Sequence, residues 1–71
     1  MNPKQLKDLL HATPFVPFTI VLAGGQKHHV HNPDVLNVTA QGRVIYEDFS
    51  GPAHYINPIL ITEVICPANA A

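Results

Sequence analysis

Cysteine is nearly missing from this chain of 71 residues, and the single Cys66 cannot close an intramolecular disulfide. A domain this small in an oxidising compartment usually needs such staples, so a cytoplasmic setting is expected. Charge is scarce as well. Four Lys and Arg stand against five Asp and Glu, for a formal net charge of −1, and the overall basicity that marks most nucleic-acid binders is absent. No apolar run approaches the ~18 residues that a membrane-spanning helix needs. Residues 1–8 mix charges with apolar positions and lead into no apolar stretch of the kind a secretory signal carries. A soluble protein with no membrane partner is expected.

The same sparseness removes the common catalytic constellations. Serine occurs once, at Ser50, outside any G-x-S-x-G context. Gly24-Gly25 is followed by neither a helix nor G-K-[ST], which excludes a phosphate-binding loop. Glu47 and Asp48 are adjacent residues on opposite strand faces and cannot flank one substrate bond. Cys66 lies beside Pro67 with no glycine loop to stabilise an oxyanion, and reads as a small apolar side chain at the core or its edge. No enzyme and no cofactor are expected.

What the chain does have is apolar content, at 46%, enough for one folded unit of this length. A single small-barrel domain is expected over residues 1–66, with 67–71 as a frayed tail. Asn2 reads as a helix N-cap, Pro3 as the first helical residue and Gln5 as the capping-box partner. Leu6, Leu9 and Leu10 then form one narrow apolar face, and Thr13-Pro14 stops the helix.

Beyond the helix, turn signals recur every 8 to 12 residues or so, the rhythm of short antiparallel strands. Phe18–Leu22 is the first strand, and the adjacent glycines of Ala23-Gly24-Gly25-Gln26 predict a two-residue type of hairpin turn. Lys27–His31 follows, broken or bent at Asn32-Pro33-Asp34, with extended structure resuming over Val35–Thr39. Ala40-Gln41-Gly42 is a turn before a strand at 43–48. Phe49-Ser50-Gly51-Pro52 reverses the chain into Ala53–Asn57, Pro58-Ile59-Leu60 forms one tight turn, and the last strand runs from Ile61 to Cys66. Apolar residues on both faces of several strands favour strong curvature over a flat sheet. The fold class expected is therefore α+β, mainly β with one N-terminal helix, as a strongly bent five-stranded antiparallel barrel whose open end the helix covers. Its core is read as Leu6, Leu9, Leu10, Phe15, Phe18, Ile20, Leu22, Val30, Leu36, Val38, Val44, Tyr46, Ile56, Leu60, Ile61 and Val64. Apolar residues left over, with low surface charge, predict pairing between copies through sheet edges.

Two resemblances add to this reading. Pro14-Phe15-Val16-Pro17-Phe18-Thr19-Ile20-Val21-Leu22-Ala23-Gly24-Gly25, then His31-Asn32-Pro33-Asp34 and Ile59-Leu60-Ile61-Thr62-Glu63-Val64, resemble a family of small uncharacterised bacterial proteins. That family repeats a proline-phenylalanine pair before the first strand, follows it with a glycine turn and closes the second strand on a His-Pro-Asp-like corner; it carries no activity over to this chain. The order of one helix and five strands, with a one-turn element before the last, is similar to the Sm-like and Src-homology-3-like small barrels. Sm-like proteins assemble into RNA-binding rings, which is what that resemblance implies, although their glycine-bearing strand preceded by a basic residue has no counterpart near His54-Tyr55-Ile56-Asn57. Fold likeness alone is an associational warrant for function.

The candidate site residues cluster around His28-His29-Val30-His31, three of the five histidines in four positions. On a strand, His29 and His31 share one face and His28 takes the other. His29 and His31 are candidate metal ligands, with His54 or Asp34 as a third, since a zinc site needs three or four; an exposed strand face with ordinary histidines, or a pH-sensitive interface, fits the same pattern. Lys27, His29, His31 and Arg43, with the rings of Tyr46 and Tyr55, form a candidate nucleic-acid surface that a symmetric ring would multiply. The expected function is a non-catalytic interaction module whose partner is itself or another protein. RNA or single-stranded nucleic-acid binding is the first alternative, and metal or small-ligand binding at the histidine strand the second.

Overall fold

The computed structural model describes residues 2–47 and 51–67. Helix α1 spans Pro3–Leu10, and its start is built as the residue types suggest. The Asn2 side chain accepts from the Lys4 amide at 2.8 Å while the Gln5 side chain accepts from the Asn2 amide at 3.2 Å, so two orphan N–H groups are satisfied reciprocally. Leu6 and Leu10 are buried, Leu9 packs at the margin, and the helix lies against the third strand. The Thr13-Pro14 peptide bond in the connector is cis.

Six strands follow: β1 Phe18–Leu22, β2 Lys27–Val30, β3 Leu36–Val38, β4 Val44–Glu47, β5 Ala53–Ile56 and β6 Ile61–Ile65. They form two antiparallel three-stranded sheets, in the orders β2-β1-β6 and β3-β4-β5. The expected five strands become six because Pro33–Val35 coils into a 3-10 turn between β2 and β3. Each half then pairs in a different sheet, and among the described residues no hydrogen-bonded ladder joins the sheets into a closed barrel. A second 3-10 turn, Pro58–Leu60, leads into β6.

Both 3-10 turns start as α1 does. The chain has Asn-Pro at positions 2–3, 32–33 and 57–58. In each, the Asn side chain accepts the amide two residues on: Lys4 at 2.8 Å, Asp34 at 2.8 Å and Ile59 at 3.0 Å. The proline supplies the next φ and has no amide that needs a partner, which is why one dipeptide serves all three turns.

The two tight hairpin loops also share a design. Leu22 and Gln26 close the first around Ala23-Gly24-Gly25, and Thr39 and Arg43 close the second around Ala40-Gln41-Gly42. These are three-residue loops, and the last residue of each, Gly25 at φ +91° and Gly42 at φ +86°, takes the positive φ. The first loop therefore differs from the two-residue turn expected from Gly24-Gly25. Only Gly25 needs its conformational freedom, as the left-handed position after a type I turn.

The core lies between the sheets and under α1. Phe18 and Ile20 from β1, Val30 from β2, Leu36 and Val38 from β3, Val44 and Tyr46 from β4, Ile56 and Ile61 meet there. Burial of each is worth ~1.5–3 kcal/mol, and a domain this small needs all of them. Phe15, Leu22 and Val64 pack against its rim. Two residues depart from the expected core. Val35 is buried although it was not expected to be, because the 3-10 turn swings it inward beside Leu36. Leu60 is 49% exposed: its backbone is committed to the turn, donating to Asn57 and accepting from Ala23, while Ile61 takes the inward place. Cys66 is exposed rather than packed at the core, because β6 ends one residue before it. The strand end expected at Asp48, the turn at Phe49-Ser50 and the tail over 68–71 lie outside the described residues.

Candidate functional site

The alternation of β2 decides where the histidines go. Val30 opposes Phe18 and His28 opposes Ile20, so these positions face the core, and Lys27 and His29 face outward opposite Val21 and Thr19. His29 is exposed, and its Nδ1 shares a 3.1 Å hydrogen bond with Thr19 Oγ1. His31 stacks beside it, with ring centroids 6.2 Å apart and planes 23° from parallel. The pairing of His29 with His31 on one face, opposite to His28, is as the strand period implies.

The outward pair gains no third ligand. Among the described residues no group of three or more His, Cys, Asp or Glu side chains comes together to hold a metal ion. Asp34 is exposed in the first 3-10 turn, and His54 sits across the seam between the sheets, facing His28 instead.

The nucleic-acid candidates divide between the two sheets. Lys27, His29 and His31 belong to β2 and its end. Arg43 and Tyr55 line one open groove of about 300 Å³ with Val44, Ile56 and Pro58. Tyr55 is 81% exposed and stands opposite Ile45 on the outer face of its sheet. Tyr46 is buried, and its phenol donates to the His29 carbonyl at 3.0 Å, so it ties β4 to β2 and presents no ring for a base to stack on.

A cluster not anticipated from the sequence lies at that seam. The His28 ring sits 4.8 Å from Tyr46 and 5.0 Å from His54, centroid to centroid, and Tyr46 lies 6.1 Å from His54. β2 contributes the first ring, while β4 and β5 contribute the cross-strand pair Tyr46 and His54. Burial holds the His28 pKa below its ordinary 6.5, and the charge of His54 adds to the effect. The signal in the sequence was parity: His28 shares its face with Val30, and His54 shares its face with Ile56.

The apolar surface concentrates elsewhere. Tyr55, Ile59, Leu60 and Ile65 are 81%, 83%, 49% and 44% exposed, all on β5, on β6 or in the turn between them. Among the described residues β5 and β6 each end a sheet and have one neighbour apiece. β5 carries no Lys, Arg, Asp or Glu, and β6 has only Glu63.

No helix among the described residues is long and apolar enough to cross a membrane. Comparison with protein-family models, with curated proteins and with solved structures finds no match to this chain.

Proposed function

We propose that this chain is a non-catalytic interaction module of the cytoplasm that works by self-association, one copy meeting the next through the exposed edges of β5 and β6. The observation that carries this is the coincidence of bare edges with bare apolar side chains. Edge strands are ordinarily guarded by charge, proline or a cover, and here the two chain-consecutive edges are almost uncharged and flank Tyr55, Ile59, Leu60 and Ile65. Main-chain pairing would satisfy the open edges while those side chains are removed from water. The continuity of β2 and β3 through one 3-10 turn supports reading them as a single bent strand, and with it the finer description of the fold as a five-stranded Sm-like small barrel.

A second reading rests on the groove that holds Arg43 and Tyr55 together. A cation beside an exposed aromatic ring suits single-stranded nucleic acid, the phosphate meeting Arg43 and a base stacking on Tyr55, and a ring of copies would repeat the pair.

Size-exclusion chromatography with light scattering, recording absorbance at nucleic-acid and protein wavelengths on untagged protein purified from cells, tests both. A dimer or ring free of nucleic acid is the expected result. A ring that carries nucleic acid favours the second reading. A monomer at micromolar concentration overturns self-association.

A further inference from the structure

A groove of about 450 Å³ opens between the β1–β2 loop and β5, on the inner side of β2. Small-molecule sites commonly fall between ~300 and ~1,000 Å³ and combine apolar walls with a few convergent polar groups. Leu22, Ile56 and Leu60 supply walls, and His28, His54 and Asn57 supply polar atoms. The Asn57 side-chain oxygen is occupied by the Ile59 amide, which leaves its NH2 end as the donor.

The charge around this groove is distinctive. Among the described residues, the ionisable groups facing His28 are the Tyr46 phenol from β4 and the His54 imidazole from β5; from β1 its cross-strand neighbour is Ile20. None of the described residues lining the groove is Lys, Arg, Asp or Glu. Lys27 and Glu63 meet Val21 on the other face of their sheet, and Arg43 lines the other groove.

Two imidazoles 5.0 Å apart by ring centroids repel each other once both are protonated, and nothing described in the groove offsets that. One carboxylate that bridges the groove-side edges of the two rings would accept a hydrogen bond from each and hold the added proton in place. A doubly charged phosphate would find no permanent cation here, whereas a single negative charge is matched by one protonated imidazole.

We propose that this groove binds a small organic monocarboxylate, its carboxylate bridging the groove-side edges of the His28 and His54 rings and its apolar body on Leu22, Ile56 and Leu60. Binding forms no covalent bond and moves one proton from water onto the imidazole pair. The depressed His28 pKa agrees with this, since burial disfavours the charged form of that imidazole until an anion arrives. The groove shares Leu60 and Tyr55 with the self-association surface but is formed within one copy: a monomer that binds the acid leaves this proposal standing while overturning the earlier one.

The test is a titration of the isotope-labelled full chain with sodium benzoate and with its neutral analogue benzamide, followed by NMR at about pH 6 and about pH 8, on either side of the ordinary histidine range. Benzoate is expected to shift the His28, His54 and Asn57 resonances and to bind tighter at the lower pH, by up to about tenfold per pH unit for one linked proton. Benzamide is expected to bind weakly and equally at both. His54→Gln, at an exposed position, should abolish the pH dependence, while His29→Gln on the opposite face should preserve it. His28→Gln, checked first for an unchanged melting temperature, should act as His54→Gln does. Equal binding of benzoate and benzamide, an unaltered pH dependence in His54→Gln, or no shift in the groove with either compound overturns the proposal.

Discussion

Strand β1 has β2 on one side and β6 on the other, whereas among the described residues β5 has only β4 beside it. Both are rich in apolar and aromatic residues, yet they spend them differently. Phe18 and Ile20 of β1 are buried at alternate positions. In β5 only Ile56 is buried, and Ala53, His54 and Tyr55 are exposed. Local sequence character is similar; position in the sheet is not. A strand between two neighbours has its inner face pressed onto the opposite sheet. A terminal strand leaves one edge and one flank open, and its apolar side chains become surface that is available to something outside the chain.

Removing a side chain from each region gives the sharpest contrast. Phe18→Ala is expected to cost ~3–5 kcal/mol, enough to unfold a large share of a domain with little stability to spare; urea unfolding followed by circular dichroism measures it. Ile59→Ala should stay within ~0.5 kcal/mol in the same assay, as exposed substitutions generally do. If the two cost the same, the division between a packed centre and an open edge is wrong.

Tyr55→Asp combined with Ile59→Asp places charge at the open edge. Light scattering should then report a monomer where the unaltered chain reports a multimer, with the melting temperature of the monomeric unit kept. Persistence of the multimer would move the contact away from β5.

The turn that separates the two edges depends on its cap, and Asn57→Ala is expected to cost ~1 kcal/mol by thermal denaturation. Asn32→Ala, at the turn where the chain passes between sheets, should cost a similar ~1 kcal/mol. A cost confined to Asn32 would mean that the second turn is held by β6 and not by its asparagine.

Acidification acts more gradually. The folded-state pKa of His28 is lowered from 6.5, so the unfolded chain binds more protons as the pH falls past that value. Stability from this residue is therefore complete at neutral pH and declines as the pH drops below about 6.5. His28→Gln should flatten the acid limb of a stability profile, and an unchanged limb would assign the loss to other groups. At the small end, Lys4→Ala removes an exposed 3.2 Å ion pair with Asp8 and should leave the unfolding midpoint unchanged.

Much of this architecture can be read from residue order. Helix α1, its capping box, the described strand ends to within about one residue, and the opposed faces of His28 and His29 follow from periods of 3.6 and 2 and from the turn chemistry of Gly, Asn and Pro. What could not be read depends on contacts between distant segments. The meeting of His28 with His54 requires two sheets to face each other across a separation of 26 positions in the chain. Leu60 and Ile61 are equally apolar, and only the geometry of the 3-10 turn decides which of them turns inward. Val35 follows a Pro-Asp pair that reads as a polar corner, and its burial comes from the way that corner coils.

The repeated Asn-Pro dipeptide carries a consequence for the ageing of the molecule. Asparagine usually deamidates when the backbone nitrogen of the next residue attacks the side-chain carbonyl to close a succinimide ring. Proline nitrogen carries no hydrogen to lose and does not complete that ring. Asn2, Asn32 and Asn57, whose side chains start the helix and both 3-10 turns, are thus shielded from this route, while Asn37, followed by Val38 on an exposed strand face, is not. By this route chemical wear falls on Asn37 in β3 and on Asn69, which Ala70 follows, and leaves the three corners of the fold intact.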